Sequence, residues 1–328
     1  MKRWSGQSVM LLALCAAAAM GSGAVFAQGT YPDKPIRVIV PFPPGGINDV
    51  VARPILQKMG ELLQGAIVIE NRAGAGGTIG ATAAARAEGD GYALLLGAAS
   101  TIAVAPSMYA NPGYAPEKDF VAIGGMASVP SVLLTAKADK FKRLQDMVAA
   151  AKAAPGTLNF GSAGAGASQH VQMELLKSRL GLNMTHVPYK GGAPAMTDLL
   201  GGQIDFMLEP LPTALPNLQA KKLVGLAVSK AERATALPDV PTFKEAGVSD
   251  FLVSTWFGLF APAATSPAIV QQLGTALARA QQDPALARSM RERGIDPMPM
   301  ETAEFTRFAT HERERWKAVV MHSGIKAE

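Results

Sequence analysis

"PIRVIVPFPPGGINDVVAR", residues 35–53, sets an apolar run, a Pro/Gly knot and a helical pattern end to end. Pro35–Phe42 reads as a buried strand, and apolar residues return at helical spacing from about Asp49 to Leu63. Two prolines and two glycines stiffen and tighten the turn between them, which lets backbone approach a neighbour closely. The same succession recurs: "GAIVIENR" (65–72) reads as a second strand, "GTIGATAAARA" (77–87) as a second helix and "YALLLGAAS" (92–100) as a third strand. Short apolar runs alternating with helices describe an α/β fold, its sheet covered on both faces.

"DFVAIGGMASVPSVLLTAKAD" (119–139) breaks this rhythm, being long and extended, and reads as the crossing into a second domain. There the alternation restarts. Helices are expected at 143–153, 168–180, 193–200 and 211–220, with strands "LNFGSAG", "MTHVPY", "IDFMLE" and "LVGLAV" between and after them. "TWFGLFAPAATSP" (255–267) reads as a return crossing, followed by helices at 267–282 and 284–293. The last segment, 302–322, puts Phe305, Phe308, Trp316 and Val319 on one helical face and "HERER" on the other. Two α/β lobes with a cleft between them follow: 28–127 and 229–328 in the first, 128–228 in the second.

The first residues set the compartment. Lys2 and Arg3, the short apolar stretch "SVMLLALCAAAAM" and the small-residue site Val25-x-Ala27 have the form of an export signal covering 1–27. The sole cysteine, Cys15, lies inside it, and bulky Leu14 before it argues against a lipid anchor. The mature chain would then hold no thiol, which excludes disulfides and Cys-based chemistry. The formal charge of +5 falls to +3 without Lys2 and Arg3. That dispersed bias suits small anions and not nucleic acid.

Gly/Ser/Thr clusters fall at strand ends: "PFPPGGIND", "NRAGAGGTIG", "GAAST" and, in the second lobe, "GSAGAGASQH". Ligands of open α/β sheets bind beyond the carboxyl ends of the strands, where helix starts present unpaired N–H groups to anions. A carboxylate-sized anion held by backbone amides and hydroxyls is the expected guest. Any one such turn is equally well explained by geometry alone; their recurrence in two lobes favours a ligand.

Sharper motifs fail. Gly74–Gly80 misses G-x-G-x-x-G by one place, no Gly run ends in G-K-[ST], and His170 replaces the final Gly of a nucleophile elbow. Ser168 reads as the N-cap of the 169–180 helix. The four histidines lack metal-ligand spacing, so no metal or cofactor is expected. His186 reads as a core residue, His170 as a cleft-side candidate, and His311 and His322 as solvated. Asp205 and Glu209 bracket a strand. Glu209 is either a capping residue or one facing a ligand amino group or a bridging water. Asp49 serves the helix dipole and also stands in the turn expected to meet ligand.

Taken together, "YPDKPIRVIVPFPPGG", Asp49-x-x-Ala52-Arg53, "NRAGAGGTIG", "GSAGAGASQH", "VPYKGGAPAMTDLLGGQIDF", "LPDVPTFKEAG" and "GLFAPAATSP" resemble the solute-binding receptors of tripartite tricarboxylate transporters, the Bordetella uptake gene (Bug) family. The resemblance spans the mature chain. It implies a periplasmic, monomeric two-lobe binding protein of the Venus-flytrap type II class, each lobe a mainly parallel sheet flanked by helices. It also implies capture of a small carboxylate for a membrane transporter with one large and one small subunit, and no enzyme activity. The residues indicated are Phe42, Pro44, Gly45, Gly46, Asn48 and Asp49, with Ser100 and Thr101 nearby. In the second lobe they are Ser162, Ala163, Gly166, Ser168 and His170, with Tyr189 and Lys190 on an adjacent turn. Glu209 joins them from the residue-level reading. Asn48 stands where the family commonly has Thr or Ser, and "LEP" (208–210) where it often has Phe-Asp-Asn; both bear on ligand identity. The alternatives are a receptor that passes its closed form to a membrane sensor and, further behind, an exported hydrolase using Ser168 or Ser162, for which no base has a fitting motif.

Overall fold

A computed structural model describes residues 31–323; the export signal and Cys15 lie outside them. The strands are β1 (Ile36–Val40), β2 (Ile67–Asn71), β3 (Ala93–Ala98), β4 (Phe120–Thr135), β5 (Asn159–Ser162), β6 (Thr185–Pro188), β7 (Phe206–Pro210), β8 (Val224–Val228), β9 (Ser254–Pro262) and β10 (Asp296–Pro297). The helices are α1 (Ile47–Leu63), α2 (Thr78–Ala85), the single turns α3 (Ala105–Met108) and α4 (Pro116–Asp119), α5 (Leu144–Ala153), α6 (Ser168–Leu180), α7 (Gly192–Leu200), α8 (Leu211–Gln219), α9 (Pro267–Gln282), α10 (Pro284–Glu292) and α11 (Thr302–Ser323). A π-helical turn, Ser100–Val104, precedes α3.

The strands form one continuous sheet whose two halves are the lobes. In the first lobe β2, β1 and β3 run parallel, and β9, β4 and β10 continue the sheet antiparallel. In the second, β7, β5 and β6 are parallel while β4 and β8 run against their neighbours. β4 belongs to both: Phe120–Pro130 pairs with β9, and Ser131–Thr135 pairs with β7 and β8. The two segments expected to cross between lobes are thus paired with each other. Helix α6 braces the crossing, because Gln172 accepts the Ser131 hydroxyl at 2.6 Å and donates to Thr255 Oγ1 at 3.5 Å.

Alternation along the strands divides the core. Ile36, Val38 and Val40 pack with Val51, Ile55 and Met59 of α1 and with Leu273 and Leu277 of α9 on one face. Ile39 and Leu95 pack with Trp256, Phe260, Phe305 and Trp316 on the other. Across the second lobe, Leu133 joins Phe160, Met173 and Phe206, whereas Val132 and Leu134 join Leu199, Met207 and Leu211.

Three expectations are corrected here. Residues 229–253 belong to the second lobe, since Ala234, Leu237, Val240, Phe243, Phe251 and Val253 fill its two cores; the return begins at Ser254. The crossing into that lobe falls at Ser131, where β4 exchanges partners. "HERER" is not wholly solvent-facing: Glu312 is buried and accepts both indole N–H groups, Trp256 at 3.0 Å and Trp316 at 3.1 Å. The two tryptophans need an acceptor, and α11 supplies one from its otherwise charged side. His311 is exposed as expected, and the His322 side chain lies outside the described residues.

Candidate functional site

The first turn is built around Asp49. One of its oxygens accepts the Gly45 N–H at 2.9 Å and Arg53 at 2.8 and 3.2 Å, and the other accepts Asn71 Nδ2 at 3.0 Å. Asn71 also bonds the Phe42 carbonyl at 3.0 Å. Burial pushes the Asp49 carboxyl upward, but the bonds from Asn71, Gly45 and Arg53 outweigh it and hold the group below its usual range. Gly45, at φ +82°, turns its amide into that carboxylate. Helix α1 then starts at Ile47, two residues before the expected Asp49, because the Gly46 carbonyl takes the Asp49 and Val50 amides. Among the described residues, the N–H groups of Gly46, Ile47 and Asn48 have no backbone acceptor, as at any helix start.

These amides border a cavity of about 420 Å³ between the lobes. Four helix starts line it: α1 through Gly46–Asn48, α6 through Ala167–Gln169, α7 through Gly191–Pro194 and α8 through Pro210, Pro212 and Thr213. Each helix start carries partial positive charge, so the cavity is suited to anions even though the lining side chains are largely apolar. Ser100 and Ser168 also line it, and no protein group among the described residues holds either hydroxyl. The apolar remainder comes from Phe42, Val50, Met196 and Phe257. The lobes touch at the rim. A Cβ on Gly191 would lie 3.4 Å from Pro43, and the Tyr109 hydroxyl donates to the Ala165 carbonyl at 3.4 Å.

Residues 51–325 match the model of the tripartite tricarboxylate transporter family receptor. The chain belongs to this family. It is similar to Protein BugT of Bordetella pertussis, with 37% identity over 311 residues covering 94% of this chain and 95% of that protein. The UPF0065 protein of the TAR-I ttuE-ttuC' intergenic region of Agrobacterium vitis is 38% identical, covering 84% and 80% of the two chains. Among solved structures, an R. palustris protein with adipate superposes at TM-score 0.87 with 32% identity, covering 91% of this chain and all of that one. Rhodopseudomonas palustris MatC with bound malate gives TM-score 0.83 and 34% identity, covering 88% and 100%.

Of the residues expected in this receptor's site, Phe42, Pro44, Gly45, Gly46, Asn48, Ser100, Ala163, Ser168, Lys190 and Glu209 line the cavity. The other six stand behind the wall and hold it. Asp49 anchors the first turn. Thr101 Oγ1 is bonded to the Ala98 backbone. Ser162 meets His186 Nε2 at 2.7 Å and Gly164 N at 3.1 Å, and Tyr189 donates to Asp198 at 2.6 Å. Gly166 donates its N–H to His170 Nδ1 at 3.1 Å. His170 therefore supports the turn from below and does not face the cleft. Its ring stacks on His186 at 3.7 Å, and both rings pile against Phe160. Burial pushes His170 down to about 4, helped by Lys177; burial, His170 and Lys177 push His186 to about 3. Both rings are therefore neutral at pH 7.

Two further expectations change. Ser168 is not the N-cap of α6: Ala167 holds that position, and the Ser168 hydroxyl makes no capping bond. The turn "NRAGAGGTIG" does not border the cavity. A Cβ on Gly77 would sit 2.6 Å from Thr101 and 3.1 Å from Phe42, so its glycines permit packing against the wall from outside. The starts of α7 and α8 went unrecognised. Their signals were "KGGAP" and "LEPLPT", each a Pro-bearing turn after a parallel strand.

Proposed function

We propose that this protein is an exported, periplasmic, monomeric receptor that captures a small organic acid between its lobes. It then presents the acid to the large and small membrane subunits of a tripartite tricarboxylate transporter. The observation that carries this reading is the convergence of four helix starts on one inter-lobe cavity, with the Gly46, Ile47 and Asn48 amides uncommitted among the described residues. The ligand carboxylate sits against the starts of α1 and α6, within reach of the Ser100 and Ser168 hydroxyls. The relatives solved with adipate and malate support a carboxylate as the guest. The receptor binds and releases its ligand unchanged and needs no cofactor.

A thermal-shift panel of mono-, di- and tricarboxylates on ligand-stripped protein tests this. A binder at one hundred times its Kd should stabilise the fold by about 2.7 kcal/mol. No shift across the panel would remove the reading.

A further inference from the structure

We infer that the ligand carries a hydrogen-bond donor, an ammonium or a hydroxyl, at a distance from its binding carboxylate, and that Glu209 selects for it. This rests on the carboxylate-receptor reading above. Glu209 and Lys190 are the charged residues of the cavity lining. Lys190 is exposed, whereas Glu209 is only 3% exposed. Two neutral donors reach the buried carboxylate: the Thr213 hydroxyl on Oε1 and Gln169 Nε2, at 3.2 Å, on Oε2. No cation stands within ion-pair distance of it among the described residues. An ionised carboxylate offers about four acceptor sites, so part of this capacity faces the cavity unmet.

Position explains how the charge is tolerated. Glu209 immediately precedes the N-cap of α8, and a Cβ on Gly192, at the start of α7, would lie 3.6 Å from its Oε1. The protein's own carboxylate therefore sits at two of the four helix starts, leaving α1 and α6 for the ligand's carboxylate. A second ligand carboxylate directed at Glu209 would set two like charges together away from water, whereas an ammonium or hydroxyl would complete its bonding. Across the cavity, the lining residue Asn48 has its Oδ1 closed off from solvent, with no hydrogen-bond partner among the described residues.

The test uses calorimetric titration of the ligand-stripped protein and Glu209→Gln at pH 8. One series is succinate, malate and aspartate, which adds a hydroxyl or an ammonium; the other is adipate, 6-hydroxyhexanoate and 6-aminohexanoate, which replaces a carboxylate. In at least one series a donor-bearing acid should bind the unaltered protein tenfold or more tightly than the plain dicarboxylate, and Glu209→Gln should cut that preference below threefold. Comparing the hydroxyl and amino members identifies which donor is meant. Dicarboxylates binding as well as or better than donor-bearing acids in both series would overturn the inference while leaving the receptor reading intact. That comparison needs no variant, so it decides the matter even if Glu209→Gln folds poorly. A preference that survives Glu209→Gln would also overturn it. Absence of binding by every acid here and in the wider panel would bring down both.

Discussion

Asp49 and Glu209 are both buried carboxylates at helix starts, one on each side of the same cavity, and their surroundings treat them in opposite ways. Asp49 is closed off by a backbone amide, an asparagine and an arginine, and its carboxyl is held below the usual range. Among the described residues Glu209 has two neutral donors, and burial lifts it to about 7 against their downward pull. A carboxylate whose acceptor sites are all filled by the protein shapes a turn; one left partly open at a cavity wall has bonding capacity for a guest. Similar residue types at similar positions thus do different work because their partners differ.

Asp49→Ala strikes the saturated side and should have the largest effect. It strands the Gly45 and Asn71 donors and releases Arg53, costing about 3 kcal/mol by the usual toll for breaking a buried, bonded charge. Chemical denaturation would measure that loss, and acid affinity should fall with it; a loss under about 0.5 kcal/mol, within the range of an ordinary surface change, would erase the contrast.

Glu209→Gln strikes the open side and should act with the opposite sign in the ligand-free protein. Between pH 4.5 and 7 the unfolded chain ionises this group while the folded chain keeps its proton. Stability contributed by Glu209 is therefore complete below pH 4.5 and lost as pH rises through 7, up to about 3 kcal/mol at 1.36 kcal/mol per pH unit. Denaturation at pH 5 and pH 8 should show the variant gaining on the parent at pH 8. Equal differences at both values would place the carboxylate in a wetter setting than its burial indicates.

The last test concerns the histidine pair under the second-lobe turn, whose effect is confined to acid conditions. With folded values near 4 and 3, His170 and His186 contribute stability that is full above pH 6.5 and declines as pH falls toward those values. His186→Phe keeps the ring stack and removes one titrating member. It should reduce the acid-driven fall in melting temperature between pH 6.5 and 4 by roughly half. An unchanged slope would assign that fall to other groups.

Much of this was readable from residues 35–53. A strand, a Pro/Gly turn and an amphipathic helix have local signatures, and the Pro44–Asn48 turn does border the cavity. What could not be read depends on the third dimension. "NRAGAGGTIG" resembles a ligand turn because glycines admitting packing and glycines admitting ligand look alike in one dimension. His170 reads as a cleft-side candidate from its position in a first helical turn; its side chain instead turns back to Gly166 and stacks on His186. Glu312 reads as a surface charge until the Trp256 indole from distant β9 joins that of Trp316, one turn along the same helix, in meeting it. The extent of the second lobe was underestimated because 229–253 is an irregular segment whose apolar residues have no period, although they fill two cores.

The paired course of β4 and β9 has a mechanical consequence. Both crossings are strands bonded to one another, so the lobes are joined by a two-ply ribbon rather than by independent tethers. Parting the lobes means flexing that ribbon. Its last rung joins Ser254 to Pro130, which has no N–H to donate, and β4 changes partners one residue later. The weakest point of the spring thus lies beside the Ser131–Gln172–Thr255 brace, and Thr255 also lines the cavity. Whatever fills that space therefore presses directly on the fulcrum.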